Sequence, residues 1–145
     1  MKTLFTCLFL LTGFLSAQTC DVCGYWYPEE SHNSVVEMYL EDGELKGKIV
    51  WMEVPRFDNG AFVLDSLNRN ARLQNRPILG MVFLYDFEKD GAVWEKGKVY
   101  NSRNGKTYSA EIELTNEGYL KLTGYVGMAW LGKSVYWERA TDFKK

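Results

Sequence analysis

Apolar and polar residues alternate with a period of two along most of the chain. The clearest example is KTYSAEIEL at residues 106–114, where apolar side chains occupy every second position from Tyr108 to Leu114. Because successive side chains of a β-strand point to opposite faces, this pattern predicts a strand with one buried face. In residues 44–54 the same reasoning places Ile49 and Trp51 on one face. Comparable segments extend the prediction to eight short strands, at residues 24–27, 34–40, 44–54, 78–87, 92–101, 106–114, 119–126 and 134–139.

Tight turn signals join most of these segments, and Asn104-Gly105 is the strongest of them. Hairpin following hairpin predicts an all-β fold, and we expect an antiparallel up-and-down eight-stranded barrel because closure leaves no unpaired edge. Gly47, Gly97 and Gly124 lie inside strand patterns. Glycines at such positions suit the bends or bulges that closure of a small barrel requires.

One connection is much longer than the others. Residues 55–77 separate the third and fourth predicted strands and contain four of the six Arg residues of the chain. Asp65 is placed to cap a short helix that runs to about Leu73, with Leu64 and Leu67 also facing inward. Such a long loop with a short helix would form a lid over one mouth of the barrel. The alternative is a solvated crossover whose Arg residues pair with nearby carboxylates.

The N-terminal residues have the pattern of a secretory signal peptide. Lys2 precedes a mostly apolar segment, and a small residue, Ala17, offers a cleavage site. We therefore expect residues 1–17 to be removed, and the mature protein to be periplasmic or secreted. Removal of Lys2 changes the formal net charge from −2 to −3, which argues against nucleic acid as a partner. No later segment is apolar for long enough to be a transmembrane helix.

The mature chain then divides into a short leader, residues 18–23, and a single barrel domain, residues 24–143. The leader contains Cys20 and Cys23, and in an oxidising compartment this pair predicts a local disulfide. The alternative is that Cys20 carries a lipid anchor. A structural zinc site needs four ligands, and the chain adds only His32 to the two thiols, so we predict no metal and no cofactor.

The aromatic residues favour binding over catalysis. No nucleophile with a neighbouring base and no metal-ligand spacing is present, so we expect no enzyme activity, with an unrecognised hydrolase as the least favoured option. Trp94, Tyr100, Tyr125 and Trp130 lie near predicted strand ends or turns. They could line a ligand pocket, or they could fill the barrel as a plug, and the sequence leaves both open.

Two sets of residues resemble known proteins. Gly24-Tyr25-Trp26 in the first strand, with Trp137 and Arg139 in the last, resembles the closing device of lipocalin-like barrels, in which an Arg packs over an early Trp. Over nearly the whole mature chain, the sequence also resembles the bacterial family called domain of unknown function 2147. That resemblance rests on the motifs Gly24-Tyr25-Trp26, LKGKIVW at residues 45–51, Asp65 and Asn68 ahead of RPILG at residues 76–80, Trp94-x-x-Gly97-x-x-Tyr100, Asn104-Gly105-Lys106-x-Tyr108, Leu120-x-x-x-Gly124-Tyr125-x-Gly127 and Trp137-x-Arg139. It implies an exported lipocalin-like barrel and no established activity.

We therefore expect an exported barrel that binds a small apolar or amphipathic ligand in the cell envelope. The expected ligand site consists of Asp65, Asn68, Arg76, Trp94, Tyr100, Tyr125 and Trp130. The alternative is an envelope-associated interaction or structural protein with a filled barrel, which would use residues 55–77 or the hairpin around Trp130.

Overall fold

Eight antiparallel strands form a closed barrel in the computed structural model, which describes residues 19–128 and 132–145. Each strand pairs with the next along the chain, and the last strand pairs with the first, where Trp26 lies opposite Arg139. The predicted fold class is therefore confirmed. The strands are β1 (Gly24–Tyr27), β2 (Ser34–Glu41), β3 (Glu44–Met52), β4 (Val82–Asp90), β5 (Val93–Asn101), β6 (Lys106–Leu114), β7 (Leu120–Tyr125) and β8 (Lys133–Arg139).

The long connection between β3 and β4 differs from the prediction. The expected helix from Asp65 is absent, and a single 3-10 turn, Ala71–Leu73, replaces it. Asn70 caps this turn, because its side-chain oxygen accepts a hydrogen bond from the backbone N–H of Arg72. Asp65 is instead buried, and the leucines expected to face inward are exposed: Leu64, Leu67 and Leu73.

β-Bulges explain where strict alternation fails. The pairing of β2 with β3 shifts between Val35 and Val36, so that Ile49 and Trp51 no longer share a face. The prediction that Trp51 faces inward is therefore wrong, and its side chain is 39% exposed. Two glycines, Gly47 and Gly97, do lie at register shifts.

The third such glycine, Gly124, lies in regular pairing with both of its neighbouring strands. The bulge predicted there is absent. The fourth strand is shifted along the chain, because it runs from Val82 to Asp90 and not from residue 78 to residue 87. Ile78 and Met81 belong to the connection and pack beside Tyr100 in a small second cluster of buried residues.

The main core fills one end of the barrel with large side chains. Phe87 needs the space that Gly97 leaves, since a Cβ at position 97 would lie 2.1 Å from a carbon of the Phe87 ring. A methyl group there would collide with a buried ring, so this glycine is required by packing. The fully buried large residues of this end include Trp26, Met38, Leu45, Leu84, Phe87 and Trp94.

Two sequence predictions lie outside the described residues. They are the signal peptide at residues 1–17 and the ligand contact at Trp130. In the two described ranges, no helix has the length and apolar character needed to cross a bilayer.

Candidate functional site

The other end of the barrel is open and encloses a cavity of about 590 Å³. Three residues of the main core, Val36, Leu122 and Trp137, also line the cavity and form its floor. Above them the lining is mostly apolar, as the inward positions of alternating strands require. Further wall residues include Ile49, Met81, Phe83, Val99 and Val135.

Polar side chains surround the mouth of this cavity. Glu29, from the β1–β2 loop, forms an ion pair with Arg103, from the β5–β6 turn. In an eight-stranded ring these two connections lie on opposite sides, so the ion pair crosses the mouth. Both side chains line the cavity, which therefore has an apolar interior and a charged entrance.

Beside the mouth, a buried carboxylate holds the long connection against the barrel. One oxygen of Asp65, Oδ2, accepts hydrogen bonds from Arg76 Nε at 2.9 Å and from Asn68 Nδ2 at 2.8 Å. The other oxygen, Oδ1, accepts a hydrogen bond from the Tyr100 hydroxyl at 2.6 Å. We call these four residues the Asp65 cluster. Because Asp65 is fully buried, these partners compensate for its lost hydration.

The backbone brings the members of the Asp65 cluster together. The connection folds back on itself at a bridge between Leu64 and Pro77, and the N–H of Asp65 donates to the carbonyl of Arg76 at 3.0 Å. Tyr100 reaches the pair from β5. Burial raises the pKa of Tyr100 above its ordinary value of 10.0, and the hydrogen bond to Asp65 and the charge of Asp65 add to this effect, against a smaller opposing effect of Arg76.

A second concavity, of about 660 Å³, lies between the connection and the strands β4–β6. We call it the outer groove. Gly105 of the β5–β6 turn has φ +67°, and a Cβ there would lie 2.0 Å from the carbonyl oxygen of Leu67. This glycine therefore permits the close approach of the turn to the connection. Tyr100 and Tyr108 line both the cavity and the outer groove.

The structure separates the residues expected to form one ligand site. Tyr100 lines the cavity, but Asn68 and Arg76 line only the outer groove, and Asp65 lines neither. Asp65 is therefore a structural partner of the other three.

Two of the expected aromatic contacts are placed elsewhere. Trp94 is fully buried in the main core at the closed end, away from the cavity. In β7, Leu122 and Gly124 lie on the inward face, so Tyr125 points outward. The Tyr125 side chain therefore does not reach the interior. Apart from Tyr100, the cavity lining comes from residues that had not been singled out for ligand binding. Alternation in β5 and β7 could have identified Val99 and Leu122, but no sequence signal marks Glu29 and Arg103 as partners.

Three of the four residues expected to close the barrel, Gly24, Trp26 and Arg139, meet at the closed end, whereas Trp137 lines the floor of the cavity. The guanidinium carbon of Arg139 lies 4.1 Å from the centroid of the Trp26 ring. Arg139 also donates hydrogen bonds to the carbonyls of Cys23 and Asp21, each at 3.0 Å. Gly24 has φ +118°, a backbone conformation that favours glycine, and a Cβ there would lie 3.0 Å from Arg139 Nη1.

The leader is part of this seal. Val22 is fully buried in the main core, and its carbonyl accepts a hydrogen bond from Trp26 Nε1 at 2.9 Å. A disulfide joins Cys20 to Cys23, and both pack against the core. The leader, which the sequence suggested as a segment ahead of the barrel, therefore closes its bottom.

Asp21 joins the leader to the strands. Its Oδ1 accepts hydrogen bonds from Lys89 Nζ at 3.2 Å and from Trp94 Nε1 at 3.3 Å. Burial opposes ionisation of Asp21, but these two hydrogen bonds and the charge of Lys89 outweigh it and hold the pKa below the ordinary 3.8. In the part of the chain that the structure describes, no group of three or more His, Cys, Asp or Glu side chains could hold a metal ion.

Comparisons with known proteins agree with this architecture. A family model described as an uncharacterised protein conserved in bacteria, DUF2147, matches residues 24–139. Among solved structures, the chain is similar to protein HP1028 from Helicobacter pylori, which is described as belonging to the lipocalin family. The two share 30% sequence identity with a TM-score of 0.66, over 81% of each chain. No curated protein sequence matches.

Proposed function

The chain belongs to the bacterial family DUF2147, and from its geometry we propose that it is an exported barrel that binds one small apolar or amphipathic molecule in the cell envelope. The proposal is one of binding, and it assigns no reaction to the protein. The observation that carries it is the cavity of about 590 Å³, within the range of about 300–1,000 Å³ typical of small-molecule sites.

The distribution of polarity inside the cavity supports an amphipathic ligand. An apolar group would pack on the floor of Val36, Leu122 and Trp137, where burial contributes about 0.8 kcal/mol for each methylene. A polar group would remain near the mouth, where Glu29 and Arg103 are exposed enough to exchange partners with it. The ligand would thus enter with its apolar part first.

The alternative is an envelope protein that acts through its surface and needs no small molecule. That reading requires a filled barrel, whereas the described residues leave a cavity of about 590 Å³ at the open end. The cavity therefore favours the binding proposal over the structural one.

Export is supported by the sequence and by the leader. Residues 1–17 have the pattern of a cleaved signal peptide, and a disulfide such as Cys20–Cys23 persists in oxidising compartments. The sulfur of Cys20 is used in this disulfide, so it is not free to carry a lipid. We therefore favour a periplasmic or secreted protein over a lipid-anchored one.

Native mass spectrometry of the protein purified from its own host tests export and binding together. We expect a polypeptide that begins at Gln18, contains one disulfide and carries an additional small molecule of defined mass. A retained signal peptide or a lipid-modified Cys20 would contradict the export proposal. A ligand-free mass would count against the binding proposal if the variants below also failed to support it.

A cavity-filling variant tests the site itself. Val135 lines the cavity from β8 and is 48% exposed at its open end, whereas the neighbouring Tyr136 points outward. We expect Val135→Trp to weaken binding of the apolar fluorophore N-phenyl-1-naphthylamine by about tenfold or more, and the matched control Tyr136→Trp to leave it unchanged. Equal affinity in the two variants would show that the fluorophore does not bind inside the barrel.

A further inference from the structure

The outer groove has a different chemistry from the cavity. It lies outside the barrel wall, between residues 68–76 of the connection and the strands β4–β6. Its lining contains three cationic side chains and no carboxylate. The cations are Arg69, Arg76 and Lys106.

Two of these cations are unpaired. Within residues 19–128 and 132–145, Arg69 and Lys106 form no ion pair with a carboxylate. Both are exposed and face the same groove, so they leave it with a positive potential that no protein group in the lining offsets. An anionic ligand would supply the missing charge.

Arg76 is held in position for such a ligand. Its Nε and Nη2 each lie 2.9 Å from Asp65 Oδ2, which leaves Nη1 outside that ion pair. The guanidinium also lies 5.4 Å from the centre of the Tyr100 ring. A guanidinium has five donors in a rigid fork, so Arg76 can bind an anion while Asp65 fixes its orientation. Little side-chain freedom would then be lost on binding.

Rings and amides complete the groove. Tyr85, Tyr100 and Tyr108 contribute aromatic surface to its walls, and Asn70 and Thr107 contribute polar groups. Aromatic faces pack against the rings of ligands, while amides and hydroxyls bind hydroxyl groups. A simple inorganic anion would use only the cations and would leave this surface unoccupied.

We propose that the outer groove is a second binding site, which takes a sugar bearing an anionic group, either a phosphate or a carboxylate. Arg69, Arg76 and Lys106 bind the anionic group, and the tyrosines pack against the ring. The outer groove is distinct from the cavity, although Tyr100 and Tyr108 line both.

Calorimetric titration of the mature protein tests this site with glucose 6-phosphate, glucuronate, glucose and inorganic phosphate. We expect one of the two anionic sugars to bind at least about tenfold more tightly than glucose and than inorganic phosphate. The anion that binds better identifies the source, phosphate or carboxylate. No binding of either anionic sugar at about 10 mM would overturn the proposal. Equal affinity for inorganic phosphate would overturn the role of the tyrosines.

Variants locate the site on the surface. We expect the double variant Arg69→Gln with Lys106→Gln to lose at least about tenfold in affinity for the anionic sugar. Arg72→Gln is the matched control, since Arg72 is exposed on the same connection but does not line the groove. An equal loss in Arg72→Gln would show non-specific attraction to charge and overturn the site. N-phenyl-1-naphthylamine must stay bound when the sugar is added, because displacement would place the sugar in the cavity.

Discussion

The two ends of the barrel are built from the same eight strands, yet one is solid and the other hollow. At the closed end, Trp26, Phe87 and Trp94 are completely buried, and Val22 of the leader fills the remaining space. At the open end, the inward positions include Val99 and Val135 beside larger residues such as Phe83, and together they leave a cavity of about 590 Å³. Strand alternation thus determines which residues face inward, and side-chain volume determines whether the interior is filled.

The two ends also differ in how polar groups are used. At the closed end, Arg139 contacts the Trp26 ring and binds backbone carbonyls of the leader, so its charge serves packing. At the open end, the Asp65 cluster fixes a long connection beside the mouth, while Glu29 and Arg103 remain accessible. We therefore expect substitutions at the closed end to act on stability and those near the mouth to act first on local order and binding.

The largest effect is expected from Trp26→Ala. Removal of a fully buried indole leaves a cavity and removes the ring on which Arg139 packs. The free energy of unfolding should therefore fall by about 3–5 kcal/mol. Urea unfolding measures this change. The matched control is Trp51→Ala, which removes a partly exposed indole from the same barrel and should cost less than about 2 kcal/mol. Fluorophore affinity measured well below the unfolding transition should be unchanged, and a selective loss of affinity at unchanged stability would contradict the division between the two ends.

A smaller and more local effect is expected from Asp65→Asn. The amide cannot replace the carboxylate as an acceptor for Arg76, Asn68 and Tyr100 together. We expect the free energy of unfolding to fall by about 2 kcal/mol. The loss is moderate because Arg76 reaches solvent.

Hydrogen exchange followed by mass spectrometry should show that Asp65→Asn accelerates exchange in residues 63–81. Exchange in the leader should be accelerated less. Asp58→Asn, at an exposed position in the same connection, is the control and should change neither quantity. Uniform acceleration over the whole barrel would show that the Asp65 cluster supports the global fold and not the connection alone.

The smallest effects concern pH, and they have opposite signs at the two ends. The pKa of Asp21 is lowered on folding, so its contribution to stability is present above about pH 4 and is lost as the pH falls. The pKa of Tyr100 is raised, so its contribution is present below about pH 10 and is lost as the pH rises. Each variant should unfold at a lower urea concentration than the unsubstituted protein. This difference in midpoint should shrink at acid pH for Asp21→Asn and at alkaline pH for Tyr100→Phe. Differences that stay constant with pH would contradict these assignments.

The barrel could be predicted because its signals are local. Alternation and turn residues such as Asn104-Gly105 depend on neighbouring positions, and they located all eight strands to within a few residues. The errors arise where an extra residue interrupts the pairing. One shift between Val35 and Val36 was enough to turn Trp51 outward, and nothing in the alternation of β3 marks that point.

The site was harder to predict because it depends on contacts between distant segments. Asp65 has the spacing of a helix cap, but its hydrogen bonds to Arg76 and Tyr100 outweigh that local preference. The ion pair of Glu29 with Arg103 joins connections that are adjacent only after the barrel closes. The cavity is a difference between enclosed volume and side-chain volume, so no single residue reveals it.

The order of the strands has a consequence for how the chain folds. Seven of the eight strand pairings join consecutive segments, and each of the tight hairpins among them can form with little loss of chain entropy. Only the pairing of β1 with β8 joins the two ends of the domain. We expect this last pairing to form late. Until it forms, or in a chain that lacks β8, the barrel would be an open sheet with the edges of β1 and β7 exposed. The residues that seal the barrel would thus also decide when its edges cease to be open to other chains.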